Sequence, residues 1–110
     1  MQINHEKENN ALIFKLVGDM VWQTVHESAG YIMNVVEEED YESIIINFEG
    51  VNFIDSTGIG LLIELYKVTR SRHMKLAVWG MSSESYENLV KVKLDHIFVN
   101  HKSKEDALSC

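Results

Sequence analysis

The sequence has no proline, one cysteine at its last position, Cys110, and no apolar run long enough to cross a bilayer. A membrane-spanning helix needs about 20 consecutive apolar residues, so neither a transmembrane segment nor a membrane partner is predicted. One cysteine cannot form a disulfide within the chain, which is typical of a reducing compartment. The first residues, MQINHEKENN, lack the apolar centre of a secretory signal peptide. Together these absences predict a cytoplasmic protein.

Positive charge is also scarce. The 110 residues include 10 Lys and Arg against 17 Asp and Glu, which gives a formal net charge of -7. The Lys and Arg residues nowhere form the basic patch that binds nucleic-acid phosphates, so a nucleic-acid partner is not expected. With 45% hydrophobic and 25% charged residues, the composition is that of an ordinary folded protein, and residues 1–110 are predicted to form a single domain.

The first part of the chain predicts two strands and a helix. Residues 1–7 and 11–18 are expected to pair as a hairpin through an Asn-containing turn, ENN. The second of these strands is apolar on both faces, which is typical of a buried strand. Apolar residues at helical spacing then predict a helix from Thr24 to about Val36. Thr24 and Glu27 are expected to form a capping box at its start.

The remaining segments alternate between strand and helix. Residues 43–48, 74–80 and 96–100 predict strands, each followed by a helical pattern. The side chains expected to face inward are Ile59, Leu62, Ile63 and Tyr66 in the second helix and Tyr86, Leu89 and Val90 in the third; Ser103 and Asp106 open the last helix. The order β-β-α-β-α-β-α-β-α predicts an α/β fold, in which helices cover a mostly parallel mixed sheet and the N-terminal hairpin adds an antiparallel pair.

Catalytic and metal-binding constellations are not predicted. A nucleophilic serine needs a base within hydrogen-bonding reach, and Ser56 has only the adjacent Asp55 beside it in sequence. Ile54 occupies the first glycine position of a G-x-S-x-G elbow. The histidines are expected at the surface or at the ends of elements, without a metal-ligand spacing: His5, His26, His73, His96 and His101. We therefore expect neither an enzyme nor a cofactor.

The glycines of the segment Gly58-Ile59-Gly60 do not complete a nucleotide-binding motif. A phosphate loop needs the G-x-x-x-x-G-K-[ST] spacing, and a dinucleotide turn needs G-x-G-x-x-G. Leu61 and two further apolar residues follow Gly60 instead. Small residues in a first helical turn allow neighbouring backbone or a partner to approach closely.

The segment Asp55-Ser56-Thr57-Gly58 lies between a predicted strand and a predicted helix. One interpretation makes Ser56 the helix cap and Asp55 a turn residue, a role worth about 1 kcal/mol. The other makes Ser56 a phosphate acceptor, because a helix N-terminus tolerates an added anion. A phosphate there would place charge and bulk on a surface expected to include apolar Ile59 and Leu61, and a docked partner would be displaced while the fold persists.

The segment INFEGVNFIDSTGIGLLIELYKVTR, residues 46–70, resembles the signature of STAS domains, in particular the bacterial anti-sigma factor antagonists. The similarity extends over nearly the whole chain in its order of elements. The family resemblance implies a protein that binds a GHKL-type anti-sigma factor, which is also a serine kinase, and thereby releases a sigma factor. The kinase phosphorylates the serine after the aspartate and disrupts the complex, and a PP2C-type phosphatase restores it.

Carried over by position, the resemblance makes Ser56 the acceptor, with Thr57 as the second candidate. Asp55 becomes the acidic neighbour that shapes the loop, and Gly58 and Gly60 become the residues that let the kinase approach. These residues, with Ile59 and Leu61, form the expected partner-binding segment.

One departure from the family pattern lies at Gly18-Asp19-Met20-Val21-Trp22, where Val21 occupies the position of the usual aspartate. Exposed Met20 and Trp22 would indicate a different partner contact, whereas the alternative is a Trp22 buried beneath a helix. The altered segment also leaves open a second function, a non-switching STAS scaffold within a signalling assembly or transport system. The oligomeric state stays open.

Overall fold

A computed structural model describes residues 1–109; Cys110 lies outside the described residues. The predicted order of elements is confirmed. The elements are β1 (Gln2–Glu8), β2 (Ala11–Val17), α1 (Trp22–Glu37), β3 (Ser43–Gly50), α2 (Ser56–Ser71), β4 (Lys75–Trp79), α3 (Ser83–Lys91), β5 (Asn100–His101) and α4 (Lys104–Leu108). Within residues 1–109, no helix combines the length and the apolar character needed to cross a membrane.

The strands form one mixed sheet in the order β1-β2-β3-β4-β5. β1 runs antiparallel to β2, and the other neighbouring strands pair in parallel, as expected. Glu8 pairs with Ala11 across a two-residue turn. Both turn residues, Asn9 and Asn10, have positive φ, at 52° and 24°. Asparagine tolerates this conformation better than most residues, which explains why the chain reverses there.

Alternating side chains of each strand point to opposite faces of the sheet. On one face the strands pack against α1, α2 and α3, and this main core contains fully buried Phe14 and Ile46. On the other face a smaller cluster forms around Ile45 and Trp79, and Ala107 brings α4 onto it. The burial of β2 on both faces is confirmed over Ala11–Leu16 except at the exposed Lys15.

The start of α1 differs from the prediction. The helix begins at Trp22, and Thr24 is its third residue. The Thr24 hydroxyl accepts a hydrogen bond from the backbone N–H of Val21 at 3.0 Å and donates to the carbonyl of Asp19 at 2.7 Å. Thr24 thus fastens the segment that leads into the helix, and the predicted capping box with Glu27 is wrong.

The last predicted strand is shortened to Asn100–His101. The backbone N–H groups of Ile97 and Phe98 donate to the carbonyl of Leu94, so the chain turns there. This turn buries Phe98 in the main core, edge-on to Tyr66 with ring centroids 6.0 Å apart.

The inward-facing residues of α3 are also corrected in one place. Leu89 is buried and Tyr86 is half-buried, but Val90 is 46% exposed. The N-cap of this helix is Ser82, which accepts from the N–H of Ser85, and the predicted cap of α4 at Ser103 is confirmed.

Two adjacent isoleucines test the difference in size between the apolar clusters on the two faces of the sheet. Ile45 and Ile46 are both buried, but they face opposite sides of the sheet. Truncating Ile46→Ala leaves a cavity within the main core and is expected to lower the free energy of unfolding by about 4 kcal/mol. Ile45→Ala is expected to cost about 2 kcal/mol, because Ile45 lines an open cavity beside Leu108 that can rearrange. Urea unfolding measures both, and equal losses would contradict the difference.

Candidate functional site

Two segments at the carboxyl ends of β2 and β3 lie side by side. The N–H of Gly18 donates to the carbonyl of Gly50, and the N–H of Met20 donates to the carbonyl of Phe53, each at 2.9 Å. The N–H of Asp55 donates back to the carbonyl of Met20 at 3.1 Å. These bonds continue the parallel pairing beyond the strands and bring the first turns of α1 and α2 together. In open α/β sheets, binding sites occur at this end of the strands.

The Asp55 carboxylate joins the two helices. Its Oδ1 accepts hydrogen bonds from the N–H groups of Thr57 at 2.8 Å and Gly58 at 3.1 Å, and its Oδ2 accepts from the N–H of Trp22 at 3.2 Å. Asp55 is therefore the N-cap of α2, and Ser56 is the first helical residue. This corrects the interpretation in which Ser56 capped the helix and Asp55 only formed the turn. The positive ends of both helix dipoles favour this carboxylate's charge.

The Ser56 hydroxyl is free of the cap and exposed to solvent. Within residues 1–109 it makes no hydrogen bond, so no side chain there acts on it as a base. Thr57 is half-buried by comparison. Of the two hydroxyls predicted as acceptors, Ser56 is the more accessible to a second protein.

The two glycines of the loop have different surroundings. A Cβ atom on Gly58 would lie 2.6 Å from both Ile54 Cγ1 and the carbonyl oxygen of Met20, distances that real Cβ atoms do not show. Gly58 is thus required by internal packing, so of the two expected roles it serves the close approach of neighbouring backbone. A Cβ on Gly60 would meet nothing within 4 Å. Gly60 lies one turn after Ser56 on the same side of α2.

The predicted apolar contact residues are mostly buried. Ile59, Leu61 and Met20 have relative exposures of 8%, 5% and 0%. Met20 and Ile54 form an isolated parallel β-bridge between the two segments, and the Met20 side chain lies in the main core. The expectation that these three side chains form an exposed surface is therefore corrected, because the core beneath α1 and α2 needs them.

Trp22 is the exception, with 60% of its surface exposed. The alternative of a tryptophan buried beneath a helix is wrong. Trp22 is the first residue of α1, and its ring stacks on His26 one turn later, with centroids 5.3 Å apart and an interplanar angle of 13°. Phe53 on the neighbouring segment is 36% exposed. Its exposure is not predicted from the sequence, because that loop has no hydrophobic periodicity.

The site end of the molecule carries no positive side chain in three successive loops. Residues 16–66 contain neither Lys nor Arg, and the loop after β4, residues 80–82, contains none either. Asp19 and Asp55 give this end a negative charge. Among residues 1–109, no group of three His, Cys, Asp or Glu is arranged to hold a metal ion. The arrangement can therefore present a hydroxyl to another protein, and its charge suits a basic one.

The chain belongs to the STAS domain family, whose model matches residues 2–107. This match confirms the expected resemblance, and the observed elements and mixed sheet confirm the expected α/β fold. Val21, the residue at the departure from the family pattern, is the N-cap of α1 and immediately precedes the residue bound by Asp55.

Similar proteins include several described as anti-sigma factor antagonists. The anti-sigma F factor antagonist of Paenibacillus polymyxa is 24% identical over 109 residues, which cover 99% of this chain and 93% of that protein. An anti-sigma factor antagonist from Mycobacterium paratuberculosis superposes with a TM-score of 0.86 at 18% identity, covering 98% of this chain and 91% of that chain. The Bacillus cell fate determinant SpoIIAA in its phosphorylated form superposes with a TM-score of 0.74 at 18% identity, covering 98% of this chain and 97% of that chain.

Removal of the shared cap is expected to destabilise the fold. Asp55→Ala leaves three backbone N–H groups without their acceptor and is expected to lower the free energy of unfolding by about 2 kcal/mol. Asp55→Asn keeps an acceptor oxygen and should lose less. Asp19→Ala removes a nearby exposed carboxylate and should change stability by less than about 0.5 kcal/mol. Urea unfolding compares the three variants, and an Asp55→Ala variant as stable as wild type would exclude the bridging role.

The two loop glycines form a matched pair. Gly58→Ala forces a methyl group against Ile54 and Met20 and is expected to cost about 1–3 kcal/mol. Gly60→Ala meets open space, and alanine favours the helix over glycine by about 1 kcal/mol, so this variant should be more stable than wild type. Thermal unfolding followed by circular dichroism measures both. Changes of the same sign in the two melting temperatures would contradict the difference in surroundings.

Proposed function

We propose that this protein is an anti-sigma factor antagonist controlled by phosphorylation of Ser56. In its unmodified form it binds a GHKL-type anti-sigma factor that is also a serine kinase, and so releases a sigma factor. Phosphorylation of Ser56 ends the complex, and a PP2C-type phosphatase reverses the modification. The chain acts as a binding partner and substrate and supplies no catalysis of its own. The observation that carries this proposal is the exposed Ser56 hydroxyl at the start of α2.

The location of Ser56 supports its role as the acceptor. Ser56 is the first residue of a helix whose cap is made by Asp55, so its hydroxyl is not used by the cap and is exposed to another protein's active site. Gly60 leaves open space on the same side of the helix. Thr57 is less exposed and remains the second candidate. The similarity to proteins described as anti-sigma factor antagonists, among them SpoIIAA, which is also solved in a phosphorylated form, supports the same hypothesis.

The proposed reaction is a phosphoryl transfer from ATP held by the kinase. The Ser56 oxygen forms a bond to the γ-phosphorus, the bond from that phosphorus to the bridging oxygen of ADP breaks, and the hydroxyl proton passes to a base of the kinase. The product carries about -1.5 to -2 additional charges. The N–H groups of Thr57 and Gly58 are already bound by Asp55, so they do not neutralise the phosphate.

The phosphate is therefore added to an end of the molecule that already has net negative charge in its loops. A partner in contact with Ser56 would face an uncompensated dianion and added bulk, and the complex would dissociate. The fold itself would persist, because the cap and the core beneath Ile59 and Leu61 do not involve the hydroxyl.

A non-switching STAS scaffold remains the second candidate, and the observation that favours it is Val21. The departure from the family's carboxylate lies directly beside the loop that carries Ser56, because the next residue, Trp22, binds Asp55. A scaffold would form stable large assemblies without a kinase, which size-exclusion chromatography with light scattering detects.

Ser56 variants test the switch. The GHKL-type anti-sigma factor kinases of the source organism are purified one by one and incubated with the chain and Mg-ATP, and modification is mapped by mass spectrometry. We expect one kinase to phosphorylate Ser56. By calorimetry without ATP, Ser56→Ala should bind this kinase within about threefold of wild type, whereas Ser56→Asp should bind at least about 100-fold more weakly, because truncation of a hydroxyl is tolerated and a buried unpaired charge is not.

Thr57→Ala provides the matched control, and it should be phosphorylated as wild type is. Circular dichroism must show that all three variants are folded. Equal affinities of the Ser56→Ala and Ser56→Asp variants, or a chain that none of the kinases modifies at either hydroxyl, would rule out the proposed switch.

A further inference from the structure

The exposed indole of Trp22 is difficult to explain by folding. Large apolar side chains contribute to stability mainly when they are buried, yet 60% of the Trp22 surface is in contact with solvent. The other tryptophan of the chain, Trp79, is 5% exposed and belongs to the core of the sheet's second face. The part of Trp22 that the fold uses is its backbone N–H, which binds Asp55. Any residue except proline supplies that group.

The position of Trp22 relates it to the acceptor loop. The Oδ2 atom of Asp55 binds the N–H of Trp22, and the Oδ1 atom of the same carboxylate binds the two residues that follow Ser56. Trp22 and Ser56 are thus the first residues of two helices that share one cap. The start of α1 thus lies beside the acceptor loop, and a protein that covers the Ser56 hydroxyl is placed next to Trp22.

The indole is held in a defined orientation even though it is exposed. Its ring lies nearly parallel to the His26 imidazole, at 13° and 5.3 Å between centroids. Ordering a free side chain on binding costs about 0.5–1.5 kcal/mol, and a side chain that is already stacked avoids part of this cost. Tryptophan is also among the residues that contribute most to binding when they enter a pocket at an interface.

We infer that Trp22 is the anchor by which this chain recognises its partner, inserting into an apolar socket bordered by Arg or Lys side chains on the anti-sigma factor kinase. The inference rests on the proposed function and names the chemistry of the partner's surface. The socket is apolar because it receives an indole, and Phe53 on the adjoining segment extends the apolar contact. Its border is basic because two of the adjacent loops contribute Asp19 and Asp55, and none of the three loops at this end contains Lys or Arg. An Arg beside the socket would also favour the face of the indole.

Calorimetry with the kinase that modifies Ser56, in the absence of ATP, tests the anchor. Trp22→Ala should weaken binding at least about 30-fold, the equivalent of a hot-spot loss of about 2 kcal/mol. His26→Ala removes the stacking partner and should weaken binding about 2- to 10-fold. Tyr31→Ala removes another exposed aromatic side chain of α1, 42% exposed, and should bind within about twofold of wild type. Raising the salt concentration should weaken wild-type binding, because the basic border is screened.

Fluorine NMR distinguishes a direct contact from an indirect effect. The chain is labelled with 5-fluorotryptophan, so that only Trp22 and Trp79 give signals, and Trp22→Phe assigns them. Addition of unlabelled kinase should shift the Trp22 signal and leave the Trp79 signal in place. An unmoved Trp22 signal, salt-independent binding, or a Trp22→Ala affinity within about twofold of wild type would overturn the inference while the proposed function stands. Failure of every kinase to bind wild type would overturn both.

Discussion

The Asp55 carboxylate receives backbone N–H groups from two helices that are far apart in sequence, Trp22 of α1 and Thr57 and Gly58 of α2. The other features of the site depend on this contact. It closes the space in which Gly58 lies against Met20, and it leaves the neighbouring Ser56 with an exposed hydroxyl. Because a carboxylate is favoured at two helix N-termini at once, Asp55 both stabilises the fold and leaves the neighbouring Ser56 hydroxyl at the surface.

The sheet provides the rigid support for this arrangement. Parallel β2 and β3 end together, and their continuing backbone hydrogen bonds carry the two segments forward until the helices begin. The main core beneath α1 and α2 fixes the helices by burying Met20, Ile59 and Leu61. The surface that carries Ser56 is therefore held in place from below, and the modification proposed for Ser56 would affect a bound partner more than the fold.

Several elements follow from local sequence alone. The Asn9-Asn10 turn, the apolar β2 and β3 strands and the Ser103 cap of α4 were predictable, because turn chemistry, burial pattern and capping are properties of a few adjacent residues. The errors fall where distant segments compete with local preference. Local sequence predicts Thr24 as the cap of α1. Instead, Val21 is the N-cap residue, Thr24 bonds back to Val21 and Asp19, and the distant Asp55 carboxylate binds the first N–H of the helix.

For the site, the residue types at the junction, the order of elements and the family resemblance are all evident from the sequence. It could not determine which of these side chains reach the surface. Gly58 and Gly60 are identical in sequence terms, yet one is enclosed and the other open. Met20 and Trp22 are both large and apolar, yet one is buried and the other exposed. These differences arise from the three-dimensional packing, because exposure depends on which residues of other segments pack against each position.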